Sequence, residues 1–302
     1  MRTQKRFTLK VLDRYLRDGR GLGTFADYIP WHRVSRSDPS SRGRSHLIAW
    51  RNRQRELLSD GEWTGLNFSA MLANLEDLVE QFPLNQGDTQ FELARWDIRV
   101  GDGIYPGTIA LAKQLGIKHP TLQELEDKRL WTSTTDLLLV LRTGDGQFEL
   151  LAVSVKPGSI DDLSKRARQL LSLEKEYWSV RGVTWLLITP TLYEKSIALT
   201  LRRTAPWGLA EPVSEPEIVL ACHTAVAMSS YPESDIVNQI SDRLNDSDDQ
   251  YLAKKALWQS IWQGRLPVDL RRGWRPHVPL KLITDQQFIA MNPVLSRRSA
   301  WI

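Results

Sequence analysis

A chain of 302 residues suits one large or two ordinary domains, and 41% hydrophobic with 25% charged residues is the composition of a soluble globular protein. The single cysteine, Cys222, excludes an intrachain disulfide and a cysteine metal cluster. The five histidines lack metal-ligand spacing, and no apolar run approaches the roughly 20 residues of a membrane helix. The formal charge of +4 is uneven: residues 1 to 60 hold 14 Lys/Arg against 6 Asp/Glu, a basic arm that points to a polyanion, most often nucleic acid.

The N-terminus, Met1-Arg2-Thr3-Gln4-Lys5-Arg6, is basic but no apolar signal segment follows it, which reads as a cytoplasmic protein. Residues 1 to 58 read as basic and loop-rich. Ser59 and Glu62 then have capping-box spacing at the head of a helix whose apolar positions are Trp63, Leu66, Phe68, Met71 and Leu72. Leu75 to Phe82 reads as a strand stopped by Pro83. Residues 85 to 130 are mixed, with turns at Gly101-Asp102-Gly103 and Tyr105-Pro106-Gly107.

Two apolar runs follow, 135 to 141 and 148 to 155, joined by Thr143-Gly144-Asp145-Gly146, so they form a hairpin. Ile160 to Arg181 has the period of an amphipathic helix, with Ser159 before it and Gly182 after it. Glu174 on that helix reads as a residue of its solvated face, with a place in the site as an auxiliary acid as the alternative, and Val183 to Thr189 is a buried-type strand. Strand, helix and strand at this spacing imply a right-handed parallel crossover, hence an α/β mixed sheet with flanking helices.

After Pro190 the texture changes. Ala205-Pro206-Trp207-Gly208 and Pro212 to Pro216 read as a linker or surface excursion. Helical patterns return at Ile236, Val237, Ile240 and Leu244, and again at Leu252, Leu257 and Ile261. A basic hairpin over 265 to 284 would complete a smaller, mainly α, winged-helix-like module. The division is therefore 1–190 and 191–302.

The chemistry is concentrated in a split polar set. Asp136 opens one strand of the hairpin and Ser154-Val155-Lys156 closes the other, so a carboxylate and a lysine meet at one end. Ser154 and Lys156, two apart, project to one face. Glu62 can be brought in from the upstream helix. That is the arrangement of a metal-dependent phosphodiesterase core. Mg²⁺ is satisfied by one or two carboxylates plus waters, and two divalent ions about 4 Å apart can supply a nucleophile, neutralise the phosphate and assist the leaving oxygen. Asp136 can bridge two ions, Glu62 can complete one site, and the Val155 carbonyl can ligate. Lys156 can orient or deprotonate the attacking water. Arg33, Arg42, Arg44 and His46 form a candidate phosphate-binding cluster.

The pattern is a variant of the PD-(D/E)xK nuclease motif, with Thr135-Asp136 for Pro-Asp and Ser154 for the usual Glu, Asp or Gln. Over residues 15 to 190 the sequence resembles the TnsA family, the endonuclease subunit of heteromeric TnsA/TnsB cut-and-paste transposons. The resemblance is carried, in order, by Gly19 to Gly23, Asp27 to Trp31, Gly43 to His46, Leu57 to Glu62, Glu80 to Leu84, Gly116 to Pro120, Ser133 to Asp136, Val155 to Pro157 and Glu176 to Trp178.

It implies a restriction-endonuclease-like fold and a catalytic set matching Glu62, Asp136 and Lys156, with Ser154 at a position that is typically a metal-ligating glutamine. It implies Mg²⁺, two ions with Mn²⁺ as substitute, and cleavage of the 5′ strands at transposon ends. It also implies three partners: double-stranded DNA, a DDE-type transposase subunit, TnsB, and an AAA+ ATPase regulator, TnsC. Two other classes stay open: a stand-alone restriction or repair nuclease, and a catalytically silent DNA-binding assembly subunit in which Ser154 marks a degenerate site.

Overall fold

The structure is a computed structural model, and it describes residues 7–36, 38–39, 44–244 and 250–301. The chain divides into two compact units. The first comprises residues 1–65, 74–189 and 299–302; the second comprises 66–73 and 190–298.

In the first unit the N-terminal segment is more ordered than a loop-rich arm. It carries α1 (Leu9–Arg17), capped by the Thr8 side chain, and a hairpin of β1 (His46–Trp50) and β2 (Arg53–Leu57). Next come α2 (Asp60–Ala70), which continues into the second unit, and β3 (Leu75–Pro83). The mixed stretch resolves into β4 (Thr89–Gln90), β5 (Ile104–Tyr105), α3 (Thr108–Gln114), β6 (Thr121–Glu124) and β7 (Asp127–Leu130).

The predicted hairpin is β8 (Thr134–Arg142) and β9 (Phe148–Val155); α4 (Lys165–Ser179) and β10 (Thr184–Ile188) follow it. The sheet order is β10-β9-β8-β3, with β9 and β10 parallel and the other pairs antiparallel. The helix begins later than its periodicity suggests. Ser159 caps a short 3-10 turn over Ile160–Asp162, and Ser164 caps α4 itself.

One sheet face packs Val79, Phe82, Leu138, Val140, Leu150 and Ala152 against Tyr177 and Trp178 of α4. The β1–β2 hairpin is anchored on β3 by Arg53, whose guanidinium meets both oxygens of the fully buried Glu80 at 2.7 Å. Removing one partner of such a buried pair costs on the order of 3–5 kcal/mol.

The second unit is helical: α5 (Lys195–Gly208), α6 (Glu215–Ala227), α7 (Glu233–Leu244), α8 (Tyr251–Trp262) and α9 (Asp285–Met291). The segment read as a linker, Ala205 to Gly208, is instead the last turn of α5, with Pro206 inside the helix. Gly208 is where the α8 indole of Trp262 approaches; a Cβ there would lie 2.4 Å from the ring. Trp258 and Trp262 are core residues, both 2% exposed. The expected basic hairpin over 265–284 closes through a single antiparallel bridge, Val268 to Leu282, rather than a ladder. Among the described residues no helix is long and apolar enough to cross a membrane.

Candidate active site

The site is built where the alternation of two neighbouring strands changes. Along β3, Val79 and Phe82 both face α4 although three residues apart, and between them Gln81 adopts a left-handed φ of 52°. On β8, Thr135 bonds to Glu174 and Trp178 of α4, whereas Leu137 lies beneath Gly65 of α2. Cα partners Glu80–Leu137 and Phe82–Thr135 bracket Gln81 and Asp136, so the irregularity falls at the same level in both strands. A strand that kept strict alternation would hold every second side chain on one face. The break turns Gln81 toward Glu62 on α2.

Asp136 and Lys156 do meet as expected. Lys156 Nζ lies 3.3 Å from Asp136 Oδ2 and 3.1 Å from the Val155 carbonyl. The Val155 amide donates to the same Oδ2 at 2.7 Å. Oδ2 therefore has two donors, and Oδ1 is left for another partner. Burial pushes the Lys156 ammonium down, but the charges of Asp136, Glu174 and Glu62 more than offset it and its pKa is raised. Lys156 is thus a fixed cation and donor. This favours charge compensation and water orientation over the deprotonating role also considered from sequence.

Glu62 arrives from the first turn of α2. Gly61 and Gly65 let that helix approach closely: a Cβ on Gly61 would lie 2.8 Å from Val155 Cγ1, and one on Gly65 would lie 3.1 Å from both Leu137 and Val155 side chains. One Glu62 oxygen accepts from Leu58 N at 2.8 Å and Gln81 Nε2 at 3.0 Å; the other has the Ser59 hydroxyl at 3.3 Å. Ser59 Oγ also accepts from Glu62 N at 3.1 Å, so capping and a place in the site coexist. Burial, then the charge of Asp136, raises the Glu62 pKa to about 8. Two carboxylates are held near one lysine, and the cluster favours added positive charge.

Ser154 is fully buried and its hydroxyl donates to Glu174 on α4; Thr135 Oγ1 donates to the same oxygen at 2.8 Å. Glu174 is only 6% exposed, not on a solvated face, and burial followed by the charge of Asp136 raises its pKa. The solvated-face reading of Glu174 is thus corrected and its alternative place beside the site is the one observed, whereas Gln81 had been given no role from sequence.

The four residues of the candidate phosphate-binding cluster fare differently. Arg33 bonds to Glu56 at 2.7 Å, while Arg44 and His46 both engage Asp60, the first residue of α2, at 3.0 and 2.8 Å. Arg42 lies outside the described residues. Among the described residues, no group of three His, Cys, Asp or Glu side chains is arranged to hold a metal ion. The candidate donors are the two carboxylates and a backbone carbonyl, a set of hard oxygens.

Residues 89–190 match the family model described as TnsA-like endonuclease N terminal. Over 204 residues the chain is 31% identical to the transposon Tn7 transposition protein TnsA of Escherichia coli, covering 67% of this chain and 63% of that relative. The chain belongs to the TnsA family. The matched TnsA-like segment contains Asp136, Ser154, Val155, Lys156 and Glu174; Glu62 lies upstream of it, so its membership of the site rests on the tertiary contacts above. The chain spans about 63% of the length of the TnsA it resembles.

Proposed function

We propose that this TnsA-family chain is a divalent-cation-dependent DNA endonuclease that cleaves the 5′ strands at transposon ends, leaving 5′-phosphate and 3′-hydroxyl ends. The observation that carries the reading is the convergence of Glu62, Asp136 and Lys156 at the strand irregularity, in a chain similar to a transposition protein. The oxygen donors and the surplus of negative charge fit Mg²⁺, with Mn²⁺ as substitute.

The carboxylates of Asp136 and Glu62 and the Val155 carbonyl would hold the cation. The bound cation supplies Lewis acidity to the phosphate and lowers the pKa of its water. Lys156 would orient the attacking water and offset charge developing on the phosphate. Ser154 acts by holding Glu174 in place.

Arg33, Arg44 and His46 are the described members of the N-terminal cluster, and we assign them to contact with the DNA backbone. We assign residues 1–190 to cleavage and 191–302, helical and winged-helix-like, to partner or DNA contact. The partners are double-stranded DNA, a DDE-type transposase of TnsB type that acts on the 3′ strands, and an AAA+ ATPase regulator of TnsC type.

Strand-resolved cleavage of end-labelled transposon DNA tests the reading, with the transposase, the ATPase and Mg²⁺ present. Loss of 5′-strand cuts in Asp136→Ala and Lys156→Ala, with 3′-strand cuts retained, is the expected result. Persistence of 5′ cuts in both variants would remove these residues from the chemistry.

A further inference from the structure

The residue that Glu62 leans on has no role in the reading above. Gln81 is 2% exposed, and its side chain spans the site. Its Nε2 donates to Glu62 at 3.0 Å, and its Oε1 accepts from Thr134 Oγ1 at 3.3 Å, two residues before Asp136. One amide therefore ties the carboxylate of α2 to the strand that carries the other carboxylate. Glu62 as the carboxylate that binds a cation is an acceptor only, so the Gln81 NH₂ and not its carbonyl is the group that satisfies it.

The backbone is committed to this position as well. Gln81 is held at φ 52°, a region that L side chains rarely adopt, with its carbonyl accepting from Trp31 N and Tyr28 OH, both at 3.4 Å. Outliers of this kind persist where surrounding contacts over-determine them, and they cluster at functional sites.

We infer that Gln81 is a positioning residue for Glu62: with Leu58 N it holds one carboxylate oxygen, so that the other, which has the longer 3.3 Å contact with the Ser59 hydroxyl, is the one to turn to the divalent cation. The inference rests on the metal-dependent reading above. It adds a prediction about which outer partner sets cation affinity. Removing such a partner typically weakens metal binding by about 10–100-fold.

The test is Mn²⁺ binding to the full chain, followed by calorimetry and by the Mn²⁺ electron paramagnetic resonance signal, with thermal midpoints measured in parallel. Gln81→Met keeps length and backbone cost but loses the donor. Gln81→Asn keeps an amide and tolerates the left-handed backbone more readily, but it is one methylene too short to reach Glu62. Both are expected to weaken Mn²⁺ binding by about 10–100-fold while melting within a few degrees of wild type.

A Mn²⁺ Kd within about twofold of wild type in Gln81→Met would overturn the inference. So would a wild-type Kd in Gln81→Asn, which would reduce Gln81 to a backbone role. Wild type compared with Glu62→Ala separates the two levels. If wild type binds no Mn²⁺, or binds it unchanged after Glu62→Ala, the metal site itself is misplaced and the role of Gln81 falls with it.

Discussion

Asp136 and Lys156 meet across the β8–β9 pairing, with Nζ 3.3 Å from the carboxylate oxygen that also accepts the Val155 amide. The lysine is partly exposed and the aspartate nearly buried, at 30% and 15% of their side-chain surfaces. The pair is accessible enough to meet a substrate and too shielded to be an ordinary surface ion pair.

Lys156→Ala should lower single-turnover cleavage by about 10²–10³-fold, the range for loss of one donor aimed at developing charge. Thermal stability should change little, because Asp136 keeps the Val155 amide. A cleavage rate within tenfold of wild type would place the lysine outside the chemistry.

Ser154 and Glu174 should separate cleanly. Ser154→Ala removes one buried hydrogen bond and should cost about 1–2 kcal/mol of stability. Glu174 keeps its bond to Thr135, so cleavage per folded molecule should fall less than tenfold. A loss as deep as that of Asp136→Ala would assign Ser154 a direct ligand role, which a Mn²⁺ titration of the variant would then register.

Gly61→Ala and Gly65→Ala test how close α2 must lie. The added methyl groups would meet Val155 and Leu137 at 2.8 to 3.1 Å, and overpacking of this kind typically costs about 1–3 kcal/mol. The effect on cleavage should exceed what the melting temperature implies, because the shifted helix carries Glu62. Equal activity per folded molecule would show that the site tolerates the displacement.

His32 provides a pH dependence with a defined sign. It stacks on Trp131 and meets Phe7 and Tyr15 edge-on. Burial, then Arg20, lowers its pKa to about 4, against the partial pull of Asp38 and Asp136. The unfolded chain therefore binds a proton below about pH 6.5 that the folded chain refuses until about pH 4. Stability from His32 is complete above 6.5 and is lost on acidification toward 4, a contribution on the order of 3 kcal/mol. Chemical denaturation at pH 7 and pH 5 should show His32→Phe losing less stability on acidification than wild type. Parallel losses would place the acid sensitivity elsewhere.

The candidate site was legible in the sequence to the extent that its members are joined by local structure. A hairpin with a short turn brings its two ends together by alternation and strand pairing alone, and so Asp136 and Lys156 were found. Glu174 left a signal that favours its alternative reading: with Leu170, Leu171, Tyr177 and Trp178 it lies on the apolar stripe of its helix, where a solvated glutamate has no place. Gln81 left a weaker one, since apolar Val79 and Phe82 three apart do not fit one face of a regular strand.

The sequence by itself therefore determined the family, the mixed sheet around one crossover and the hairpin that carries the aspartate and lysine. The tertiary structure alone decided that a glycine-lined helix face packs on Val155 and Leu137 and that Glu62 is held by Gln81, that Ser154 turns to Glu174, and that Arg33, Arg44 and His46 are paired with carboxylates. These are contacts between segments far apart in the chain. Their geometry is set by close packing and by satisfaction of buried polar groups, which no local period encodes.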